Sequence, residues 1–271
     1  MQIFDEEVVD KGQQRSPQEN ALSTRIKDWF RAEQGKQVTL VVTLLNQVLQ
    51  NSEHFEKKTI KGTLKVLATL VDWNEVNLFS ACMEKIGSFF RVKELRAGSF
   101  QYLGAFVGKG MPELDKLNII QQSGYLVEVR DAMLDKLNNY EENFGDDEYD
   151  EEKSYMTAVS QSVNHMGKWC LSVQQPVGCE TDPFKSPESR QYYDQVFNFL
   201  LEKAIYILDT DCMEVGWPMI DFLTPWVQSH YKMFDQLPAG VGEKILHIFE
   251  IVIKRIAFPE WCEIEIEPDD Q

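Results

Sequence analysis

The residues of this chain whose types and spacing suit chemistry are mostly basic, and they stand against an acidic background. Lys58, Lys61 and Lys65 recur at i, i+3 and i+7, so they share one face of a helix, with Lys57 beside them. Ile60, Leu64, Leu67 and Val71 fall on the opposite face. Such a stripe is either an ordinary solvated face or a contact for phosphates or an acidic partner. Arg91, Lys93 and Arg96 form a second small basic group further along. Two groups of this kind can track a nucleic-acid backbone, each contact adding mainly salt-dependent affinity. They can equally balance acidic neighbours.

Other constellations argue against catalysis. His54, His165, His230 and His247 stand apart in the sequence, each in a helical context. There is no HExxH, no GxSxG and no glycine-rich phosphate loop. Asp146, Asp147 and Asp150 have the chemistry for a hard cation but lack the ordered spacing of a calcium loop. Neither a metal nor a cofactor is expected, and no enzyme. The five cysteines are scattered, odd in number and never form CxxC, which disfavours a disulfide framework or zinc site. A reducing compartment, nucleus or cytosol, is the expectation.

Composition sets the frame for these groups. The 271 residues include 44 acids and 27 bases, for a net charge of −17, and 43% are hydrophobic, enough for a large core. That acidity disfavours non-specific attraction to DNA or an acidic membrane, although local patches outweigh the total under physiological screening. No apolar run has membrane-spanning length, and the first residues lack the basic start of a signal sequence. No membrane association is expected.

The elements that must position the basic groups read as helices almost throughout. Val38, Val41, Val42, Leu45, Val48 and Leu49 make one helical face over 37–49, and Ile60 to Val71 make the next, with Asn51 and Ser52 as cap candidates. Asn74 is placed to cap a third helix burying Phe79, Cys82, Ile86 and Phe89; a fourth carries Leu95, Ser99, Tyr102 and Phe106. Helix starts near Gln37, Glu75 and Glu113 recur every 38 residues, the pitch of HEAT or armadillo pairs. The expectation is an all-α HEAT-repeat α-solenoid, a superhelical stack of antiparallel helix pairs in a single segment over 1–271. Within it, residues 1–20 are partly irregular, with a short helix from Thr24 to Glu33. A long helix over 113–139 leads to an exposed acidic loop at about 140–152, and a second loop lies at about 172–186. Ser186-Pro187-Glu188 reads as cap, first-turn proline and first-turn acid for a helix over 189–208. A helix over 212–234 should kink at Pro225, and the last, over 240–256, should turn Ile245, Ile248, Phe249, Val252 and Ile256 inward.

One run points to a family. Leu95 to Leu117, and above all Lys109-Gly110-Met111-Pro112-Glu113-Leu114-Asp115-Lys116, resembles the exportin-T receptors, the tRNA exporters of the importin-β superfamily. Ile26 to Arg31, Val71-Asp72-Trp73, Asn164 to Lys168 and Lys254 to Phe258 are similar in the same order. These strings are turn and packing signatures, and their weight comes from collinearity. The resemblance implies a HEAT superhelix that binds tRNA cooperatively with RanGTP, passes nucleoporins and shuttles between nucleus and cytoplasm. It implies recognition of tRNA by shape and backbone. Such receptors are several times longer, so this chain matches a middle segment. The resemblance also suggests contact between Ran and the acids Glu141, Glu142, Asp146, Asp147, Glu148 and Asp150, whose plainer role is solubility. Lys58, Lys61, Lys65, Arg91, Lys93 and Arg96 then become candidates for tRNA or another partner. The alternative is a HEAT-repeat protein–protein scaffold, or a karyopherin with protein cargo.

Overall fold

A computed structural model describes residues 16–134, 146–174, 182–210, 212–231, 237–238 and 240–256. The chain is an all-α solenoid, and every regular element among the described residues is helical. Residues up to Phe222 form one compact unit and those from Leu223 form a second.

Helix α1 spans Pro17–Gln50 and absorbs both of the short helices expected there. The residues between them are Gln34, Gly35 and Lys36, of which Gln34 and Lys36 are good helix formers. The single Gly35 costs only about 1 kcal/mol, too little to stop a helix. Helix α2, Lys57–Trp73, buries Ile60, Leu64, Leu67 and Val71 as the periodicity requires. Asn51 does not cap it; its Nδ2 donates to the Gln47 carbonyl and closes α1 instead. Asn74 likewise serves the end of α2, donating to the Leu70 carbonyl at 2.8 Å.

The third segment is a 3₁₀ run, Val76–Lys85, continuing into α3, Ile86–Phe89. Its buried residues are the expected ones, and the three-residue period stacks Phe79 and Cys82 on one side. Helix α4 is Lys93–Val107. The single long helix expected from Glu113 is instead two, α5 over Glu113–Gln122 and α6 over Tyr125–Leu134. Gly124 lies between them at φ +70°, a conformation that side chains resist and that ends α5.

Helix α7, Asp146–Val173, corrects the expected acidic loop: its second half is the start of a 28-residue helix. Clustered carboxylates at a helix N-terminus complement its dipole, so the acids initiate structure there. Residues 135–145, including Glu141 and Glu142, lie outside the described residues. Helix α8, Pro187–Leu208, begins as read: the Ser186 side chain accepts a hydrogen bond from the Ser189 amide, with proline in the first turn. The expected helix over 212–234 is divided into α9, Met213–Gly216, and α10, Pro218–Tyr231. Pro218 has no N–H to continue the ladder at that point.

In the second unit, α11 spans Val241–Ile256. It buries Ile245, Ile248 and Ile251, whereas Phe249 is 51% exposed and Val252 half-buried. Apolar residues on both faces of this helix made its inward side ambiguous from periodicity alone.

Two layers make up the first unit. α2, α4 and α7 lie side by side and pack along one another more extensively than α1, the 3₁₀ run and α5–α6 do. Glycines allow the close approach. A Cβ on Gly98 would sit 3.1 Å from Leu64, one on Gly104 3.1 Å from Ser162, and one on Gly167 2.5 Å from the Phe222 ring. Buried hydroxyls join the layers. Tyr102 donates to the Phe79 carbonyl, Tyr125 pairs with Ser162, and Tyr193 donates to the Cys170 carbonyl.

Candidate interaction surface

Lys58, Lys61 and Lys65 all lie exposed on α2. At 100° per residue they point roughly opposite to the buried Ile60–Leu64–Leu67 side. None of the three has a salt-bridge partner among the described residues. Their neighbour Lys57 is different: its Nζ lies 2.5 Å from the Glu94 carboxylate and ties α2 to α4. That bond holds the Glu94 carboxyl below the usual carboxylate range.

The second basic group is neutralised at every position. Arg91 meets Glu128 of α6 at 3.2 Å, and Lys93 meets Glu151 of α7 at 3.9 Å. The Arg96 guanidinium pairs with Glu152 and lies over the Tyr155 ring, 3.9 Å from its centroid. Side-chain exposure is only 14% for Arg96 and 1% for Glu152, so this pair belongs to the core. Burial pushes the Tyr155 hydroxyl up to about 12, the nearby Arg96 charge opposing that rise. Arg91, Lys93, Arg96 and Glu128 line a cleft of about 270 Å³ together with Phe90, Ala132 and Tyr155.

Of the acids assigned by resemblance to a Ran contact, Asp150 is exposed on α7. Asp146, Asp147 and Glu148 form the backbone of its first turn, and their side chains lie outside the described residues, as do Glu141 and Glu142 altogether. The next two acids, Glu151 and Glu152, are the ones that hold Lys93 and Arg96. The basic group and the acidic stretch, read separately in the sequence, therefore form one joint between α4 and α7.

The telling string Lys109–Lys116 acquires a structural meaning. Pro112 precedes α5, and Glu113 accepts a hydrogen bond from the Trp169 indole of α7. Lys116 is buried, with its ammonium 3.7 Å from Glu113 and over the Trp169 ring. Burial lowers its pKa, and Glu113 partly opposes that. Nothing in the local spacing marked Lys116 as buried; only the pairing with a residue on α7 shows it.

The two buried thiols among the described residues are not activated as nucleophiles. Burial pushes the Cys82 thiol up to about 11 and Cys170 higher still, so both stay protonated at neutral pH. Among the described residues no three His, Cys, Asp or Glu side chains converge as a metal would need. No helix among them is long and apolar enough to cross a membrane.

Comparison with known proteins adds two findings. The family of "Exportin 1-like protein" matches residues 1–103. Exportin-T of Danio rerio is 25% identical over 276 residues, an overlap that takes in the whole of this chain and 26% of that protein. The chain thus spans about a quarter of the length of this curated relative. An exportin 1-like region at residues 1–103 and a likeness to exportin-T along the whole chain bear out the resemblance read from Lys109–Lys116 and its flanking strings.

Proposed function

We propose that this chain is part of a karyopherin-type nuclear export receptor that binds tRNA cooperatively with RanGTP and carries it past nucleoporins from nucleus to cytoplasm. The likeness to exportin-T supports the class of receptor. The observation that carries the cargo reading is the face of Lys58, Lys61 and Lys65, three exposed ammonium groups without a salt-bridge partner among the described residues, in a chain of net charge −17. Unpaired cations on the close-packed layer suit phosphates, which supply affinity without reading sequence. The acids from Glu141 to Asp150 serve as a contact for a basic face of Ran. The role is transport, not catalysis.

A second reading, a scaffold with protein cargo, draws support from the local neutralisation of Arg91, Lys93 and Arg96. Labelled tRNA titrated with the chain, with and without RanGTP, separates the two. The proposal expects RanGTP to tighten tRNA binding. Equal tRNA binding in both titrations, or none in either, contradicts it.

A further inference from the structure

The run Val76–Lys85 winds as 3₁₀ for ten residues, whereas such runs seldom pass three or four because their hydrogen bonds are poorer. Its composition gives no reason for that. It contains no glycine and no proline, and Leu78, Ala81, Met83, Glu84 and Lys85 are good α-helix formers. The apolar pattern fits either winding. Phe79, Cys82 and Ile86 stand at i, i+3 and i+7, one face of an α-helix, and the same three are buried here with 3₁₀ winding up to Lys85. Burial of side chains therefore does not choose between the two forms.

The contacts that do choose come from outside the run. Tyr102 of α4 is fully buried and donates its hydroxyl to the Phe79 carbonyl at 3.0 Å, and the Cys82 thiol is bonded to the same hydroxyl. From α1, the Gln50 amide donates to the Ala81 carbonyl at 3.3 Å and to the Glu84 carboxylate at 3.5 Å. Two backbone carbonyls of the run are thus held where 3₁₀ winding leaves them.

The two windings differ in length. At about 2.0 Å rise per residue against about 1.5 Å, ten residues shorten by about 5 Å on rewinding as α-helix. The run leads straight into α3, whose Gly87 rests on α5: a Cβ there would sit 3.0 Å from the Ser123 carbonyl oxygen. A cleft of about 310 Å³ lies alongside, with Ser80, Met83 and Glu84 of the run on one wall and Ile119, Gln122 and Ser123 on the other.

We propose that Val76–Lys85 is a conformational switch with two windings, held in the longer one by Tyr102 and Gln50. Rewinding as α-helix draws α3 toward the end of α2 and changes the width of the cleft against α5. The switch is independent of the cargo reading above.

Pairs of histidines that chelate Ni²⁺ report the winding in the 271-residue chain. Asn77, Ser80 and Ala81 are exposed. Positions 77 and 80 are neighbours in both windings, whereas 77 and 81 are about 120° apart in 3₁₀ and about 40° apart in an α-helix. By isothermal titration calorimetry, N77H/S80H should bind Ni²⁺ about tenfold more tightly than N77H, because the second imidazole binds at high effective concentration. N77H/A81H should bind no more tightly than N77H. Adding Tyr102→Phe should raise the N77H/A81H affinity about tenfold by releasing the Phe79 carbonyl. Tight binding by N77H/A81H with Tyr102 intact would overturn the proposal. So would Tyr102→Phe lowering the melting temperature with no gain in that affinity, the result expected if Tyr102 only packs. Should circular dichroism show the Tyr102→Phe chain unfolded, Gln50→Ala takes its place with an expected gain of about threefold, and an unchanged affinity there overturns the proposal equally.

Discussion

On α2 three ammonium groups stand in solvent with no salt-bridge partner among the described residues. Around the start of α4 three basic side chains are bound by Glu128, Glu151 and Glu152. Each group has three basic side chains, the α2 lysines on one helix and Arg91 in the turn before Lys93 and Arg96 of α4. What differs is the neighbour across the packing interface: α4 faces the acidic start of α7, whereas on α2 only Lys57 has an acid to meet. A basic group's function is therefore set by the helix packed beside it as much as by its own spacing. The free group is available to a partner, and the bound one holds two helices together.

The largest expected effect is on the buried pair. Arg96→Met should take the guanidinium from Glu152, whose side chain is 1% exposed, and destabilise the fold by about 3–5 kcal/mol in urea titration. Adding Glu152→Met should recover much of that loss. A cost below about 1 kcal/mol for Arg96→Met would place the pair with ordinary surface ion pairs and blur the contrast between the groups.

Arg91→Ala comes next, with a loss of no more than about 1 kcal/mol, because the Arg91 side chain is 80% exposed. The K58A/K61A/K65A variant should move stability by less than about 0.5 kcal/mol, since these side chains are exposed. A marked drop in melting temperature there would mean the stripe is structural after all.

The smallest effect is a pH dependence at the α2–α4 link. Lys57 holds the folded Glu94 carboxyl below its ordinary value of 4.5. That contribution is present above 4.5 and fades as pH falls through the lower folded value. Lys57→Met should flatten this acid limb of the stability curve, and an unchanged limb would remove the link.

Much of this was legible in the chain. The faces of α2 and α4, the Ser186 cap and the helix starts near Glu75 and Glu113 follow from local periodicity and cap chemistry, which act within a few residues, whereas the start expected near Gln37 lies inside α1. Breaks at Gly124 and Pro218 interrupt helices whose apolar pattern continues across them, so periodicity carried on where the backbone did not. Glu152 and Lys116 look like solvated charges from their neighbours in sequence, whereas Arg96, 56 residues from Glu152, and the Trp169 ring over the Lys116 ammonium meet them across helices. Long-range pairing of this kind leaves no local trace.

The salt dependence of tRNA affinity tests the contrast between the two groups most directly. Plotting log K against log salt for wild type, K58A/K61A/K65A and R91A/K93A counts the phosphates each group neutralises. The α2 variant should lower the slope by roughly 2–3, at about 0.9 or less per contact, and R91A/K93A should leave it unchanged. A slope lowered by R91A/K93A and untouched by the α2 variant would contradict the account.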